Sequence, residues 1–202
     1  MTGRLDGKTA LVTGGGSGFG AGIARRFAGE GARLLVVDIN ADAAAAVAAE
    51  IGAESCGADV SDATSVAAMA VAAKEHLGAL DILVNNAGVT HQSGPLEGVD
   101  EESFDRVMAV NNKAVYLAAR AFVPGMKAAG KGCILNIAST AGVSPRPNLS
   151  WYNASKGWMI TATRAMAVEL APCGVRVNAV NPVAGETPLL ASFMGEDTPE
   201  IR

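Results

Sequence analysis

The sequence predicts an α/β chain folded as a doubly wound parallel sheet (a Rossmann fold), three layers deep in the order α/β/α. Three observations predict it. Six short apolar runs alternate with longer stretches of helical periodicity, and helical crossovers return each strand in the same direction. The runs are nearly continuous in aliphatic residues, as strands covered on both faces are. Glycine and polar clusters follow the runs, at the carboxyl ends where this fold class holds its ligands.

The elements follow in order. "TALVTG" (9–14) is a β-rich run ending in glycine, and "FGAGIARRFAGEG" (19–31) has helical spacing, with Ile23 and Phe27 one turn apart and Gly31 as a stop. "ARLLVVDIN" (32–40) is the second strand and "ADAAAAVAAEIG" (41–52) a helix. "AESCGADV" (53–60) is a short third strand, and 62–77 is helix again, closed by Gly78. "LDILVNNAG" (80–88) is the fourth strand. A long helical segment runs from 101 to 129, with Pro124 and Gly125 as the expected point of bending or breaking. "GCILNIAS" (132–139) is the fifth strand, 140–150 a loop, 151–172 a helix and "GVRVNAVNP" (174–182) the sixth strand.

The totals exclude several functions. A chain of 202 residues suits one domain with a sizeable core. No apolar run reaches the roughly eighteen residues of a membrane helix, and the start, "MTGRLDGKTA", lacks a signal-peptide core. A soluble cytoplasmic chain is the expectation, with no membrane partner. The net charge of −4 and pI near 5.2 give no basic stripe for nucleic acid. Cys56, Cys133 and Cys173 lie far apart without a CxxC, so they are expected to be reduced and mostly buried. His76 and His91 are too scattered for a metal cluster.

The chemistry concentrates in four places. "TGGGSGFG" (13–20) joins the first strand to a helix, where glycines let the backbone approach a pyrophosphate and helix N–H groups face it. Asp38, 18 residues past Gly20, ends the second strand, where a carboxylate can accept from a ribose diol and repel a 2′-phosphate. No Lys or Arg occurs in the glycine loop, so NAD is favoured over NADP. Capping the following helix is the other reading of Asp38, a task Asn40 can also perform. "GKT" (7–9) is no phosphate loop, since it precedes the strand, and no G-x-S-x-G is present. In "SWYNASKGW" (150–158), Tyr152 and Lys156 are four residues apart and share a helix face. That pair is either ordinary helix surface or a phenol acting beside an ammonium.

The glycine loop, "NNAG" at 85–88, Ser139, Tyr152 and Lys156, in this order, resemble the short-chain dehydrogenase/reductase family along essentially the whole chain. Thr13, Gly14, Gly18 and Gly20 meet its TGxxxGxG pattern, and Ser139 precedes Tyr152 by the family's 13 residues. The resemblance implies a catalytic group of Asn111, Ser139, Tyr152 and Lys156, with Asn112 the weaker alternative to Asn111 and a helix-kink role also open for Asn111. It implies a cofactor site of Gly14, Ser17, Gly18, Phe19, Gly20, Asp38, Ile39, Asp59, Val60, Asn86, Ala87, Gly88, Tyr152, Lys156, Pro182 and Thr187. Asp59 and Val60 would contact adenine, and Thr187 the nicotinamide carboxamide. Asn136 and Asn178 are expected to be structural.

The implied activity is NAD-dependent interconversion of a secondary alcohol and a ketone, Tyr152 acting as general acid/base. A free phenol has a pKa near 10, and the neighbouring Lys156 ammonium and an oxidised nicotinamide would lower it. Ser139 would hold the substrate oxygen and Asn111 a proton-relaying water. A 3-oxoacyl-thioester reductase and a non-catalytic NAD-binding regulator are the alternatives. The small-molecule partner is an alcohol or ketone, and the helix faces in 101–129 and 151–170 are expected to build a homo-oligomer, a tetramer or dimer. Two departures stand out. Val183 replaces the family's glycine after Pro182, from which a modest loop change is expected. The family's seventh strand and C-terminal tail have no counterpart before Arg202.

Overall fold

The computed structural model describes residues 3–183, 185 and 190. Its six strands are β1 (Thr9–Thr13), β2 (Arg33–Asp38), β3 (Glu54–Gly57), β4 (Ile82–Asn85), β5 (Gly132–Ile137) and β6 (Val175–Val180). They form one sheet in the order β3-β2-β1-β4-β5-β6, with every pair parallel. The helices are α1 (Gly18–Gly29), α2 (Ala41–Ile51), α3 (Ala63–Leu77), α4 (Glu101–Met108), α5 (Ala114–Ala129) and α6 (Ser150–Leu170). The order reverses between β1 and β4, which opens a crevice at their carboxyl ends.

Strand alternation divides the core into two layers. Leu11, Leu35, Val37, Leu83 and Ile134 face Val66, Met69, Leu117, Phe122 and Leu170 on α3, α5 and α6. Their neighbours Ala10, Val12, Leu34, Val36 and Val84 face the other way, toward residues of α1 and α2. Leu11, Leu35 and Leu83 are fully buried, and each such side chain contributes about 1.5–3 kcal/mol of hydrophobic stabilisation. β6 departs from the two-sided expectation. Val175 and Val177 are buried, but Arg176, Asn178 and Val180 are exposed.

Helix starts are set by short polar side chains. Asn40, Asp62 and Asp100 each accept a backbone N–H three residues on, at Ala43, Ser65 and Ser103. Asn40 therefore caps α2, and Asp38 is left for other work. The segment 101–129 does break, but not at Pro124. Pro124 lies inside α5 on an exposed face, where the carbonyl it leaves unpaired meets water. The interruption is a π turn over Ala109–Lys113, centred on Asn111. The three cysteines are unpaired and half-buried, less covered than expected.

Candidate active site

The glycine loop is shaped by contacts that exclude a side chain. Gly14 and Gly18 have φ of 62° and 50°, left-handed values that favour glycine. A Cβ at Gly20 would collide with the Gly14 carbonyl oxygen, and one at Gly14 would come within 2.9 Å of the Ala87 Cα. Helix α1 begins here with Ser17 in extended backbone. The Ser17 side chain makes no capping hydrogen bond, and the first turn carries no acid. Its first N–H groups thus stay available to an anion. This cradle fits the pyrophosphate of a dinucleotide. Phe19 is exposed beside it, and Gly185 lies against its ring, since a Cβ there would strike it.

Asp38 ends β2 facing the same loop. Its Oδ2 accepts the Gly16 N–H and its Oδ1 the Asn40 N–H, both at 3.0 Å. Ile39 follows it, 74% exposed. Past β3, Asp59 Oδ1 accepts from the Ser61 N–H and hydroxyl, and Val60 is buried. These residues lie at and after the carboxyl ends of β2 and β3, on one side of the crevice.

The Asn85–Gly88 stretch joins both halves of the sheet. The Asn85 amide donates to Asn136 Oδ1 on β5 at 2.8 Å, and Asn136 donates to Thr163 on α6. The Asn86 amide donates to the Thr13 and Gly14 carbonyls at 2.9 and 3.0 Å. Thr13 Oγ1 accepts the Asn86 and Ala87 N–H groups. A Cβ on Gly88 would stand 3.4 Å from both Asn111 Oδ1 and Lys156 Nζ, so this glycine sits against both. Asn111 is fully buried, its amide paired with the backbone of Val89 and with the Ser155 hydroxyl. Asn112 instead donates to the Ser155 carbonyl, in a purely helix-to-helix contact.

Ser139, Tyr152 and Lys156 converge beyond β5. Ser139 starts the 3-10 turn Thr140–Gly142, its Oγ accepting the Ala141 N–H at 3.1 Å. Tyr152 and Lys156 occupy successive turns of α6, 5% and 4% exposed, with Nζ 5.9 Å from the Tyr152 ring centroid. Nζ donates to the Ile137 carbonyl at 2.9 Å. Burial pushes the Lys156 pKa down to about 8. Burial also pushes the Tyr152 phenol up, against the opposing pull of its hydrogen bond with Ser139 and of the Arg146 charge. In the protein alone, desolvation of the phenolate outweighs the favourable contacts, whereas the expected depression belongs to the site with an oxidised nicotinamide bound.

Pro182 binds the active-site turn by accepting the Thr140 N–H and hydroxyl at 3.1 and 3.3 Å. Val183 has no left-handed φ, so valine meets no strain there. Thr187 lies outside the described residues. Sequence reading passed over two residues of this region. Ser155 links Asn111 to the Tyr152 carbonyl, a role its helical spacing from Tyr152 carries. The Arg146 charge acts on Tyr152 from a loop, and only its flanking prolines, Pro145 and Pro147, marked a fixed position.

No helix among the described residues is long and apolar enough to cross a membrane. The short chain dehydrogenase family model matches residues 8–197. The chain is 49% identical to the 4-formylbenzenesulfonate dehydrogenase TsaC1/TsaC2 of Comamonas testosteroni, over 98% of this chain and 81% of that protein. It is 42% identical to an NAD(+)-dependent 2-dehydro-3-deoxy-L-rhamnonate dehydrogenase of a Sphingomonas species, over 94% of this chain and 77% of the other. The crystal structure of a 3-ketoacyl-(acyl-carrier-protein) reductase from Brucella melitensis with NADH superimposes with a TM-score of 0.93 at 51% identity, covering 95% of this chain and 81% of that one. Matched over nearly its whole length by the family model and by dehydrogenases, the chain belongs to the short-chain dehydrogenase family and is an oxidoreductase of alcohols and ketones.

Proposed function

We propose that the chain is an NAD-dependent dehydrogenase of secondary alcohols, with Tyr152 as general acid/base. One observation carries this: buried Tyr152 and Lys156 stand one turn apart on α6, and the Ser139 hydroxyl bonds the Tyr152 phenol. In this reading Ser139 binds the substrate oxygen and keeps it within reach of the phenol. Tyr152 takes the carbinol proton in oxidation and returns it to the ketone oxygen in reduction. Lys156, held by the Ile137 carbonyl, stands between the Tyr152 ring and Gly88, where a nicotinamide ribose would be bound. Asn111 keeps the Gly88–Val89 backbone in place beside Lys156.

Gly14, Ser17, Gly18, Phe19 and Gly20 would hold the pyrophosphate, and Asp59 with Val60 the adenine. Asn86, Ala87, Gly88, Pro182 and Thr187 would line the nicotinamide side. The cofactor supplies hydride acceptance and donation when bound. Asp38 supports NAD over NADP, since its carboxylate already faces Gly16 and would oppose a 2′-phosphate there. Exposed Tyr116 on α5 and Trp158 and Val168 on α6 support a homo-oligomer built on these helices, and unpaired thiols suit a cytoplasmic setting. Light scattering of the purified chain reads the assembly.

The test is nicotinamide absorbance during incubation with NAD or NADP and a panel of secondary alcohols, sugars and polyols. Turnover with NAD that disappears in Tyr152→Phe, with NADH binding retained, is expected. Turnover that persists in Tyr152→Phe removes the phenol from the reaction. The reverse assay with a 3-oxoacyl thioester tests the thioester-reductase reading, which the Brucella relative supports.

A further inference from the structure

We propose that Arg146 reads an anionic group on the substrate, so that the enzyme takes an alcohol or carbonyl compound carrying a carboxylate or sulfonate. This rests on the dehydrogenase reading of the site and adds the substrate class to it.

Arg146 is fixed at its backbone and open at its head. Pro145 and Pro147 flank it, and a residue before proline is held out of the helical region. The buried Asn153 amide donates to the Arg146 carbonyl at 2.7 Å, tying the loop to the residue that follows Tyr152. The guanidinium is exposed and touches the Val183 carbonyl at 3.4 Å, the long limit of a hydrogen bond. That contact spans the loops that follow β5 and β6 and leaves most of the five-donor fork unused.

Arg146 has no carboxylate partner among the described residues, a state it shares with Arg106, Arg120, Arg164 and other cations. Its charge nevertheless acts on the Tyr152 phenol. A positioned cation thus lies within electrostatic range of the Tyr152 phenol, beside the exposed Val183. A planar fork of this kind binds carboxylate or sulfonate through paired N–H groups. The exposed Val183 side chain suits a carbon skeleton between that anion and the carbonyl.

The test compares each keto acid with its neutral ester, so that general effects on catalysis cancel. NADH oxidation is followed with para-acetylbenzoate and its methyl ester, and with acetoacetate and its methyl ester. Wild type, Arg146→Gln and Arg146→Lys are compared. Loss of positive charge beside Tyr152 shifts acid and ester alike and drops out of the ratio. For at least one pair, wild type is expected to prefer the acid by about tenfold or more in kcat/KM, as a charge-assisted bond supplies. The preference is expected to vanish in Arg146→Gln through KM, and to return in part in Arg146→Lys. No preference in wild type, or one that survives Arg146→Gln, overturns the proposal. Calorimetry of para-acetylbenzoate with the NAD-loaded enzyme separates the two readings. If wild type reduces none of the four ketones and oxidises nothing in the alcohol panel, the assigned reaction fails. Acid binding that is lost in Arg146→Gln still upholds the anion site, whereas equal or absent binding removes it.

Discussion

Asn111 pairs with Val89 through both ends of its amide: Oδ1 accepts the Val89 N–H and Nδ2 donates to the Val89 carbonyl, each at 2.9 Å. The same Nδ2 reaches Ser155 Oγ at 2.9 Å, and that hydroxyl donates to the Tyr152 carbonyl at 2.7 Å. One side chain therefore ties the loop after β4 to the helix that carries Tyr152. The π turn at Ala109–Lys113 accompanies this, placing Asn111 and Asn112 both in the interior toward α6.

Replacing Asn111 with Ala leaves the half-buried Val89 N–H and carbonyl without their partner. Each such group costs about 1–3 kcal/mol, so urea unfolding is expected to lose about 2–4 kcal/mol. Turnover should fall further than the folded fraction does, because Gly88 and Lys156 lose their common support. Unchanged stability in the variant would show that water replaces the amide without cost.

The buried pair on α6 sets a pH signature of stability. Lys156 is lowered from 10.5 to about 8, and burial is the cause. Below pH 8 both folded and unfolded chains hold the proton, and the fold bears the full cost of the buried ammonium. From 8 to 10.5 the unfolded chain keeps a proton that the folded one has released, so this group makes stability rise with pH. Tyr152 is raised above its ordinary 10, so the unfolded phenol ionises first and stability falls beyond that point. Urea titrations of wild type and Lys156→Met should therefore diverge between pH 8 and 10, with wild type gaining relative to the variant. Parallel curves would mean that Lys156 keeps an ordinary pKa in the fold.

What was legible in the sequence, and what was not, follows from the range of each interaction. Strands such as β1 and β2 were legible because their apolar runs end at sharp changes of residue type, Gly14 and Asp38. Tyr152 and Lys156 were legible because four residues on a helix fix a shared face. Pro124 misled, since a proline's damage depends on whether its face meets water, which periodicity does not report. The break at Asn111 entered only as the kink role left open by the resemblance, because a π turn follows from contacts with Val89 and Ser155, distant in sequence. The upward push that burial gives the Tyr152 phenol in the protein alone was not legible for a similar reason. Burial is a property of the packed fold, and here it outweighs the charges nearby.

Asp38 is expected to control the choice of cofactor. Its two oxygens hold the Gly16 and Asn40 N–H groups, which orients the carboxylate along the glycine loop. Asp38→Ala removes the negative charge and frees both N–H groups toward a 2′-phosphate. The NADP-to-NAD ratio of kcat/KM should rise by about tenfold or more, equivalent to about 1.4 kcal/mol of changed discrimination. The ratio is read from initial rates with each cofactor. No change would place the discrimination elsewhere in the site.

Two glycines in α1 separate cofactor geometry from helix propensity. Gly20 packs so closely that a Cβ would overlap the Gly14 carbonyl and stand 2.5 Å from the Asn86 amide nitrogen. Both are backbone-fixing groups of the crevice, so neither can move aside without reshaping the loop. Gly22, two residues on, is exposed and a Cβ there meets nothing within 4 Å. Gly22→Ala should then stabilise the fold by about 0.5–1 kcal/mol, because alanine loses less backbone entropy in a helix. Cofactor affinity should stay unchanged. Gly20→Ala should lower stability and weaken NADH binding by tenfold or more, as an overpacked site costs about 1–3 kcal/mol. Thermal melts with and without NADH read both quantities in one experiment. If Gly20→Ala retains wild-type affinity, the close approach of α1 to Gly14 and Asn86 is not what shapes the cradle.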